Sequence, residues 1–346
     1  MVLRRPVYPF SAIVGQSELK LALLLNAVNP MIGGLLIRGQ KGTGKSTSVR
    51  ALVDILPDVT AVKGCPFNCS PTDPTNMCSD CLEKHLQGEP LEAERKGMRI
   101  VSLPIGSTED RVIGSLDIEK AISQGVRALQ PGLLAEANQN ILYIDEVNLL
   151  PDHITDSILD AAASGWNTVE REGISVSHPS RFILIGTMNP EEGELRPQLA
   201  DRFALHISVG GIYDESQRVE IIRRNIEFGE DPLGFMKRLH GEQEELRKQI
   251  IEARELIKAV EVPEPLMKAV ASACIRLHVD GHRPDISTIR AAKALAALEE
   301  RKIVTGEDIM KVDVMAVGFR TRGFGFEEPA KPEEIREIFA EAIKLA

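Results

Sequence analysis

The stretch Gly34-Leu35-Leu36-Ile37-Arg38-Gly39-Gln40-Lys41-Gly42-Thr43-Gly44-Lys45-Ser46-Thr47 decides the fold. Its first five residues form an apolar run of strand length, and Ser46 to Leu56 has helical spacing. Between them lies the pattern G-x-x-x-x-G-K-[ST], Gly39 to Ser46, with the strand before it and the helix after it that phosphate cradling requires. Gly42 and Gly44 let the backbone curl so that its N–H groups face an anion. The N-terminus of the following helix adds its positive dipole. Lys45 is expected to reach the β- and γ-phosphates of ATP, and Ser46 to place its hydroxyl on Mg²⁺. The expected nucleotide-binding residues are thus Gly39, Gln40, Lys41, Gly42, Thr43, Gly44, Lys45, Ser46 and Thr47. The alternative, a glycine-rich turn matching by chance, leaves the strand, the helix and an acidic strand further on unexplained.

That acidic strand, expected over Asn140 to Asp145, carries the motif Ile141-Leu142-Tyr143-Ile144-Asp145-Glu146. Apolar residues bury it, and its carboxylates fall at the C-terminal end, where open α/β sheets form their ligand crevice. Asp145 is expected in the Mg²⁺ shell and Glu146 to orient and polarise the attacking water. A solvated helix cap is the bland alternative for the pair. Asn189 follows the apolar run Phe182 to Thr187, where its amide can meet the γ-phosphate or the water; by itself, Asn189-Pro190 is a turn. Asp201-Arg202-Phe203 offers an arginine able to stabilise transition-state charge, although a lone loop arginine is most often a surface ion pair.

Outward from these motifs the chain alternates apolar runs and helical patterns, as an α/β sheet requires. Ile100 to Leu103 is a further expected strand, and Gly165 to Val176 has two β-prone arms around Glu172-Gly173, the mark of a hairpin. After about Gly211 the texture turns helical: Glu215 to Arg224, Glu242 to Val260, Pro265 to Leu277, Asp285 to Arg301 and Gly306 to Met315. The 346 residues exceed one ordinary domain. The division expected is an α/β nucleotide-binding core over 1–212, a helical linker over 213–262 and a C-terminal helical domain over 263–346. A formal charge of −10 argues against a nucleic-acid partner, which needs a basic face. Leu19 to Ile37, the most apolar region, is broken by Asn26, Asn29, Pro30, Gly33 and Gly34, so it reads as helix, turn and strand. Behind Met1 to Pro6 there is no apolar stretch of signal length. The expectation is a cytoplasmic protein with no membrane partner.

Four of the five cysteines lie together: Cys65-x₃-Cys69, eight residues, then Cys78-x₂-Cys81. Four soft thiolates at this spacing, in an insertion of about 62–97 rich in Pro and Asn, suit a metal knuckle, and both Zn²⁺ and an iron–sulfur cluster accept such a set. Free, incidentally close thiols are the alternative. Cys274 lies on an apolar helical face and reads as core.

In order and kind these elements resemble the AAA+ ATPases. Three longer runs resemble the ATPase subunit of magnesium chelatases more closely: Asn140 to Leu150, Ala163 to Gly173 and Asn189 to Leu199. The likeness runs from about Phe10 to Arg320. It implies a P-loop core, a parallel sheet flanked by helices with hairpin insertions, plus a smaller C-terminal helical domain. It places Ile13-Val14-Gly15-Gln16 near the nucleotide. It makes Arg202 a finger acting in trans within a homo-oligomeric ring, a hexamer, and Arg290 the sensor arginine acting in cis, with Arg283 the weaker candidate. It further implies two partners: a related subunit bearing an integrin-like domain, and a large tetrapyrrole-binding subunit that inserts the metal. No Asp-x-Ser-x-Ser metal motif occurs here, which fits the motor subunit only. Photosynthetic members share the Pro-Phe-Asn neighbourhood but do not generally keep all four cysteines, which leaves the inserted metal open. A remodelling ATPase like the MoxR proteins is the alternative, since the same catalytic residues serve both.

Overall fold

The computed structural model describes residues 6–116, 129–171, 174–279, 281–321 and 330–345. The expected turn Glu172-Gly173 lies outside the described residues. The chain packs as two compact units. The first comprises residues 1–56, 189–191 and 203–346; the second comprises 57–188 and 192–202. The fold is α/β, with five parallel strands, two in the first unit and three in the second.

In the first unit, Leu35–Gly39 pairs in parallel with Leu205–Val209, in a register that sets Leu35 opposite Leu205 and Gly39 opposite Val209. Leu35, Leu36 and Ile37 are buried on successive positions, so both faces of this strand are covered, as parallel strands require. The helix Ser17–Val28 buries Leu19, Ala22, Leu23, Leu25, Ala27 and Val28, residues spread around its whole circumference. Such a helix belongs inside a core. Asn29 then caps a short turn, accepting the Met31 N–H, and the chain enters the strand.

The helical part of this unit starts at Glu215–Glu230, capped by Asp214, which accepts the Gln217 N–H at 2.8 Å. Asp231 caps the next helix, Pro232–Leu256, whose proline sits in the first turn where no N–H is needed. Glu264–Arg276, Arg283–Leu298, Gly306–Val317 and Pro332–Lys344 follow. Thr305 and Asp308 form a reciprocal capping box at Gly306–Val317. The buried Arg320 guanidinium donates to the carbonyls of Phe203, Ala204 and Ala316, which ties the end of that helix to the start of the Leu205–Val209 strand.

In the second unit, Ile141–Ile144 lies between Ile100–Leu103 and Ile183–Met188, parallel to both. All four of its residues are buried. Three antiparallel ribbons branch from this sheet region. Asp58–Val62 pairs with Ala93–Gly97, Gly114–Leu116 with Leu129–Pro131, and Trp166–Arg171 with Ile174–Pro179. The first ribbon closes with Val62 opposite Ala93, so the cysteine insertion hangs from its open end. Among the described residues no helix is long and apolar enough to cross a membrane.

Candidate functional site

Each unit carries its own share of the residues expected to act. In the first, the strand Leu35–Gly39 delivers the phosphate loop. A side chain at Gly39 would put its Cβ 2.3 Å from the Val209 carbonyl oxygen, so the neighbouring strand admits only glycine there. Gly42 and Gly44 have φ of +80° and +81°, the left-handed region that glycine enters without steric cost. Gly44 caps the helix Lys45–Leu52, which aims the helix N-terminus at the loop's concave side. Lys45 Nζ curls over that bowl, donating to the carbonyls of Gly39 and Gln40, the latter at 2.8 Å. Thr43 Oγ1 donates to Gln40 O at 2.9 Å and closes the loop upon itself.

The segment Ile13 to Gln16 does stand at the loop, since Gln16 Nε2 donates to Thr43 O at 2.5 Å. Between them lies a cavity of about 620 Å³, polar where Gln40 to Gly44 and Thr47 line it and apolar where Tyr8, Ile13, Ile212 and Ile221 do. A nucleotide has that division, with anionic phosphates at one end and a flat base at the other. Asn189 is buried, and its Oδ1 accepts the Glu191 N–H at 3.3 Å. Glu191 Oε1 in turn accepts Gln40 Nε2 at 3.3 Å, which brings the Asn189 segment to the phosphate loop. Arg290 is placed elsewhere. Its guanidinium donates to Met31 O at 2.5 Å, and neither it nor Arg283 is among the residues lining the cavity.

In the second unit the buried strand Ile141–Ile144 ends in Asp145, which is exposed, and Glu146, which is half-buried with φ of +56°. Asp145 Oδ1 accepts two hydroxyls, Tyr143 Oη at 2.8 Å and Thr187 Oγ1 at 2.6 Å. Thr187 Oγ1 also accepts the Glu146 N–H at 3.3 Å. One threonine on the adjacent strand thus orients both acidic residues. Sequence reasoning missed this role, because 42 positions separate Thr187 from Asp145. Arg202 forms an ion pair with Asp160 on the helix Asp152–Ser164, within its own unit.

The cysteine insertion is drawn together as its spacing implied. The Sγ atoms of Cys65, Cys69, Cys78 and Cys81 all lie within 4.8 Å of one another. Cys69, Cys78 and Cys81 are buried with Val62 and Met77 in a small core on which Phe67, Leu82 and Leu91 pack. Hydrogen bonds from the neighbouring Cys69 and Cys78 thiols hold Cys65 well below the usual thiol range, whereas burial, reinforced by the charge of Cys65 and Cys78, pushes Cys81 up to about 12. Four thiols this close cannot all ionise without a cation among them. Phe67, between the first two cysteines, stacks on His178 with ring centroids 4.8 Å apart. Burial lowers the His178 pKa and favours the neutral ring. Its Nδ1 lies 3.0 Å from Pro179 O, and its Nε2 lies 3.0 Å from Asn167 Nδ2. That pattern gives Nδ1 the proton and leaves Nε2 as acceptor.

Residues 84–203 match the AAA domain of the dynein-related subfamily, and residues 267–341 match the AAA lid domain. The protein is therefore an ATPase of the AAA class, its phosphate loop followed by an α/β core and a helical lid. The magnesium-chelatase subunit ChlI homolog of Methanocaldococcus jannaschii is 56% identical over 344 residues, which cover 99% of this chain and 93% of that protein. The chloroplastic magnesium-chelatase subunit ChlI of Glycine max is 56% identical over 309 residues, 89% of this chain and 73% of that protein. A chain in the cryo-EM-based structure of the complex between subunits BchI and BchD of magnesium chelatase is 47% identical. It matches with a TM-score of 0.55 over 93% of this chain and 98% of its own. The chain belongs to the magnesium-chelatase ATPase subunit family, ChlI and BchI.

Proposed function

We propose that this chain is the ATP-hydrolysing motor subunit of a magnesium-chelatase-type assembly, whose turnover drives a partner subunit to insert a metal ion into a tetrapyrrole. The observation that carries the reading is the phosphate loop, with its two left-handed glycines, its capped helix and the half-polar, half-apolar cavity beside it. Kinship with the ChlI and BchI subunits directs the motor to chelation and not to remodelling.

Within that reading the residues divide the work. The loop N–H groups from Gly39 to Thr47 hold the phosphates, and Lys45 leaves its two carbonyl partners to reach the β- and γ-oxygens. Ser46 and Asp145 hold Mg²⁺, which when bound neutralises charge developing on the transferred phosphoryl group. Tyr143 and Thr187 fix the Asp145 carboxylate by hydrogen bonds, so its orientation precedes ligand binding. Glu146, anchored at its own N–H by Thr187, orients the attacking water. Asn189 supplies an amide to the γ-phosphate or that water. Arg202 serves the ATP site of the next subunit in a ring, a hexamer, and leaves Asp160 to do so. Arg290, held at the Met31 carbonyl, serves as the lid's sensor arginine once nucleotide is present.

The partners proposed are a related AAA+ subunit bearing an integrin-like domain and a large tetrapyrrole-binding subunit; the related BchI is found in complex with a second subunit, BchD. A further metal, Zn²⁺ or an iron–sulfur cluster, is proposed at Cys65, Cys69, Cys78 and Cys81. Two measurements test the function. Lys45→Ala is expected to abolish ATP binding in calorimetry; normal affinity refutes the loop assignment. Glu146→Gln, trapped with ATP in native extract and recovered by tag, is expected to bring down a large chelatase-type subunit. Recovery of assorted client proteins alone would remove the chelatase reading and leave the ATPase chemistry intact.

A further inference from the structure

The cysteine insertion supports a sharper statement about which metal it takes and what that metal does. We infer that Cys65, Cys69, Cys78 and Cys81 bind one tetrahedral Zn²⁺ ion, and that this ion sets a clasp on the strand that carries Asp145 and Glu146. The inference rests on the metal reading of the four cysteines and is independent of the ATPase reading.

Distance selects a single ion. A zinc–sulfur bond of about 2.3 Å sets tetrahedral thiolates about 3.8 Å apart. The four Sγ atoms lie within 4.8 Å of one another, and Cys65 and Cys78 are already 4.0 Å apart. In an iron–sulfur cluster the four thiolates are divided among two or four irons, and those on different irons are held further apart by the inorganic core. The surroundings are those of a closed structural site. Three of the four sulfurs are buried, and among the described residues no histidine or carboxylate joins the group. The Cys78 N–H donates to Cys69 Sγ at 3.0 Å, the kind of outer contact that orients a thiolate ligand. Between Val62 and Ala93 the insertion has only its small cysteine-centred core, too little to hold a fold without a staple. Binding is acid–base chemistry throughout. Each thiol gives its proton to solvent as its sulfur joins the ion, and no oxidant or reductant takes part.

The clasp is made by the residues that the ligands hold in place. Asn138 is fully buried, and its Nδ2 donates to Phe67 O at 2.9 Å, Asn68 O at 3.1 Å and Asn76 Oδ1 at 2.9 Å. Gln139 Nε2 donates to Asn68 O at 2.8 Å and to Thr60 O at 3.2 Å. Phe67 and Asn68 lie between the first two ligands, and Asn76 lies two residues before the third. Asn138 and Gln139 lead directly into Ile141–Ile144 and its terminal carboxylates. The Phe67 ring reaches a second element, stacking on His178 in the Trp166–Pro179 ribbon. Thus the ion fixes one turn, and that turn grips both the entry to the carboxylate strand and the hairpin.

The test is metal analysis of the full-length chain, purified without a polyhistidine tag. Expected are about one zinc per chain, no acid-labile sulfide, and cysteines at the insertion that resist a thiol reagent until a chelator strips the metal. Cobalt-exchanged protein is expected to show the visible absorption of tetrahedral cobalt thiolate. Cys69→Ser and Cys78→Ser are expected to lose the zinc; should they fail to fold, the cobalt spectrum of the unmutated chain decides. Iron with labile sulfide, a disulfide, or metal-free protein with four reactive thiols would each overturn the site. For the clasp, hydrogen exchange is followed as zinc is removed. The Arg181 amide, which donates to Asn138 Oδ1 at 2.9 Å, is expected to exchange at least roughly tenfold faster. Faster exchange confined to residues 63–92 would refute the clasp. The Lys45→Ala chain keeps its zinc if the site is real, whatever happens to ATP binding, so the two readings fail separately.

Discussion

Replacing Asn138 with alanine tests the joint between the cysteine insertion and the carboxylate strand. The side chain is fully buried, donates to three oxygens and accepts the Arg181 N–H. A buried hydrogen bond contributes a net ~1 kcal/mol, and a buried group left without a partner costs ~1–3 kcal/mol. Alanine leaves two such groups, the Arg181 N–H and Asn76 Oδ1. The Asn68 carbonyl keeps its bond from Gln139, and the Phe67 carbonyl, which loses its bond from Asn138, belongs to a half-buried residue and costs less. The expected loss is about 3–4 kcal/mol, a large part of the roughly 5–15 kcal/mol that holds a domain. Trp166, the only tryptophan, lies in the same unit, so its fluorescence during urea unfolding reports the transition directly. With m at the upper end of ~1–3 kcal/mol/M for a chain of this size, the midpoint falls by about 1 M. Gln139→Ala is the control: its amide is half-exposed, and the loss should be about 1 kcal/mol. Zinc is measured in the same samples, because a lost metal would add its own destabilisation. A loss under about 1 kcal/mol for Asn138→Ala, or one no larger than the control, refutes the reasoning.

Three further outcomes follow from the same structure. Glu146→Gln should bind ATP normally and turn it over at least about a hundredfold more slowly, as loss of a general base requires; near-normal turnover in a phosphate-release assay removes Glu146 from the role. Arg202→Ala should bind ATP without hydrolysing it, and mixing it with Lys45→Ala should restore activity at intermediate ratios, because the finger acts on a neighbour's site; no recovery at any ratio excludes action in trans. Asp313→Asn should stabilise the protein at alkaline pH. Asp313 is 1% exposed, one of its oxygens has no hydrogen-bond partner, and burial pushes its pKa up to about 6 against the nearby charge of Arg336. A folded-state pKa above the unfolded value gives stability that is complete below about pH 4 and lost as pH rises through about 6. The ionised form therefore costs about 3 kcal/mol at pH 8, which the asparagine removes; equal melting temperatures for the two proteins at pH 8 would dismiss the assignment.

What could be read from the sequence was local. The phosphate loop, the acidic strand and the Trp166 hairpin each declare themselves within a dozen residues, because glycine conformation, apolar runs and turn chemistry act over that range. The strands found at Leu35–Gly39, Ile100–Leu103, Ile141–Ile144 and Ile183–Met188 fall within a residue of those expected. The ribbon Asp58–Val62 with Ala93–Gly97 was not legible, since Ala93-Glu94-Arg95-Lys96-Gly97 has no apolar alternation and stays largely exposed. Pro332–Lys344 lies beyond the helices expected, although Pro332, Glu333 and Glu334 at its start and buried Ile335, Phe339 and Ala342 along one face are readable signals. The partners of site residues were out of reach for a different reason. Thr187 meets Asp145, Asp160 meets Arg202, and Met31 meets Arg290 only after the chain folds, and nothing in periodicity or spacing records such pairs.

The two chemistries of this chain converge on four residues. Ile141–Ile144 is buried along its whole length and paired on both sides, so its backbone has little freedom of its own. At its entry, Asn138 and Gln139 are held by carbonyls of the cysteine turn; at its exit, Thr187 and Tyr143 hold Asp145. A carboxylate that must meet a phosphoryl group within a fraction of an ångström gains from both restraints, because a catalytic group fixed in advance pays no reorganisation when charge develops. Loosening the entry end shifts the strand as a whole, and with it Asp145, Glu146 and the threonine contact that aligns them. Zinc loss should therefore slow ATP turnover more than it weakens ATP binding, since the phosphate loop belongs to the other unit and is held by Gln16, Thr43 and Lys45 of that same unit. A parallel fall in binding and turnover on zinc removal would argue instead for general unfolding, with no specific brace on the carboxylates.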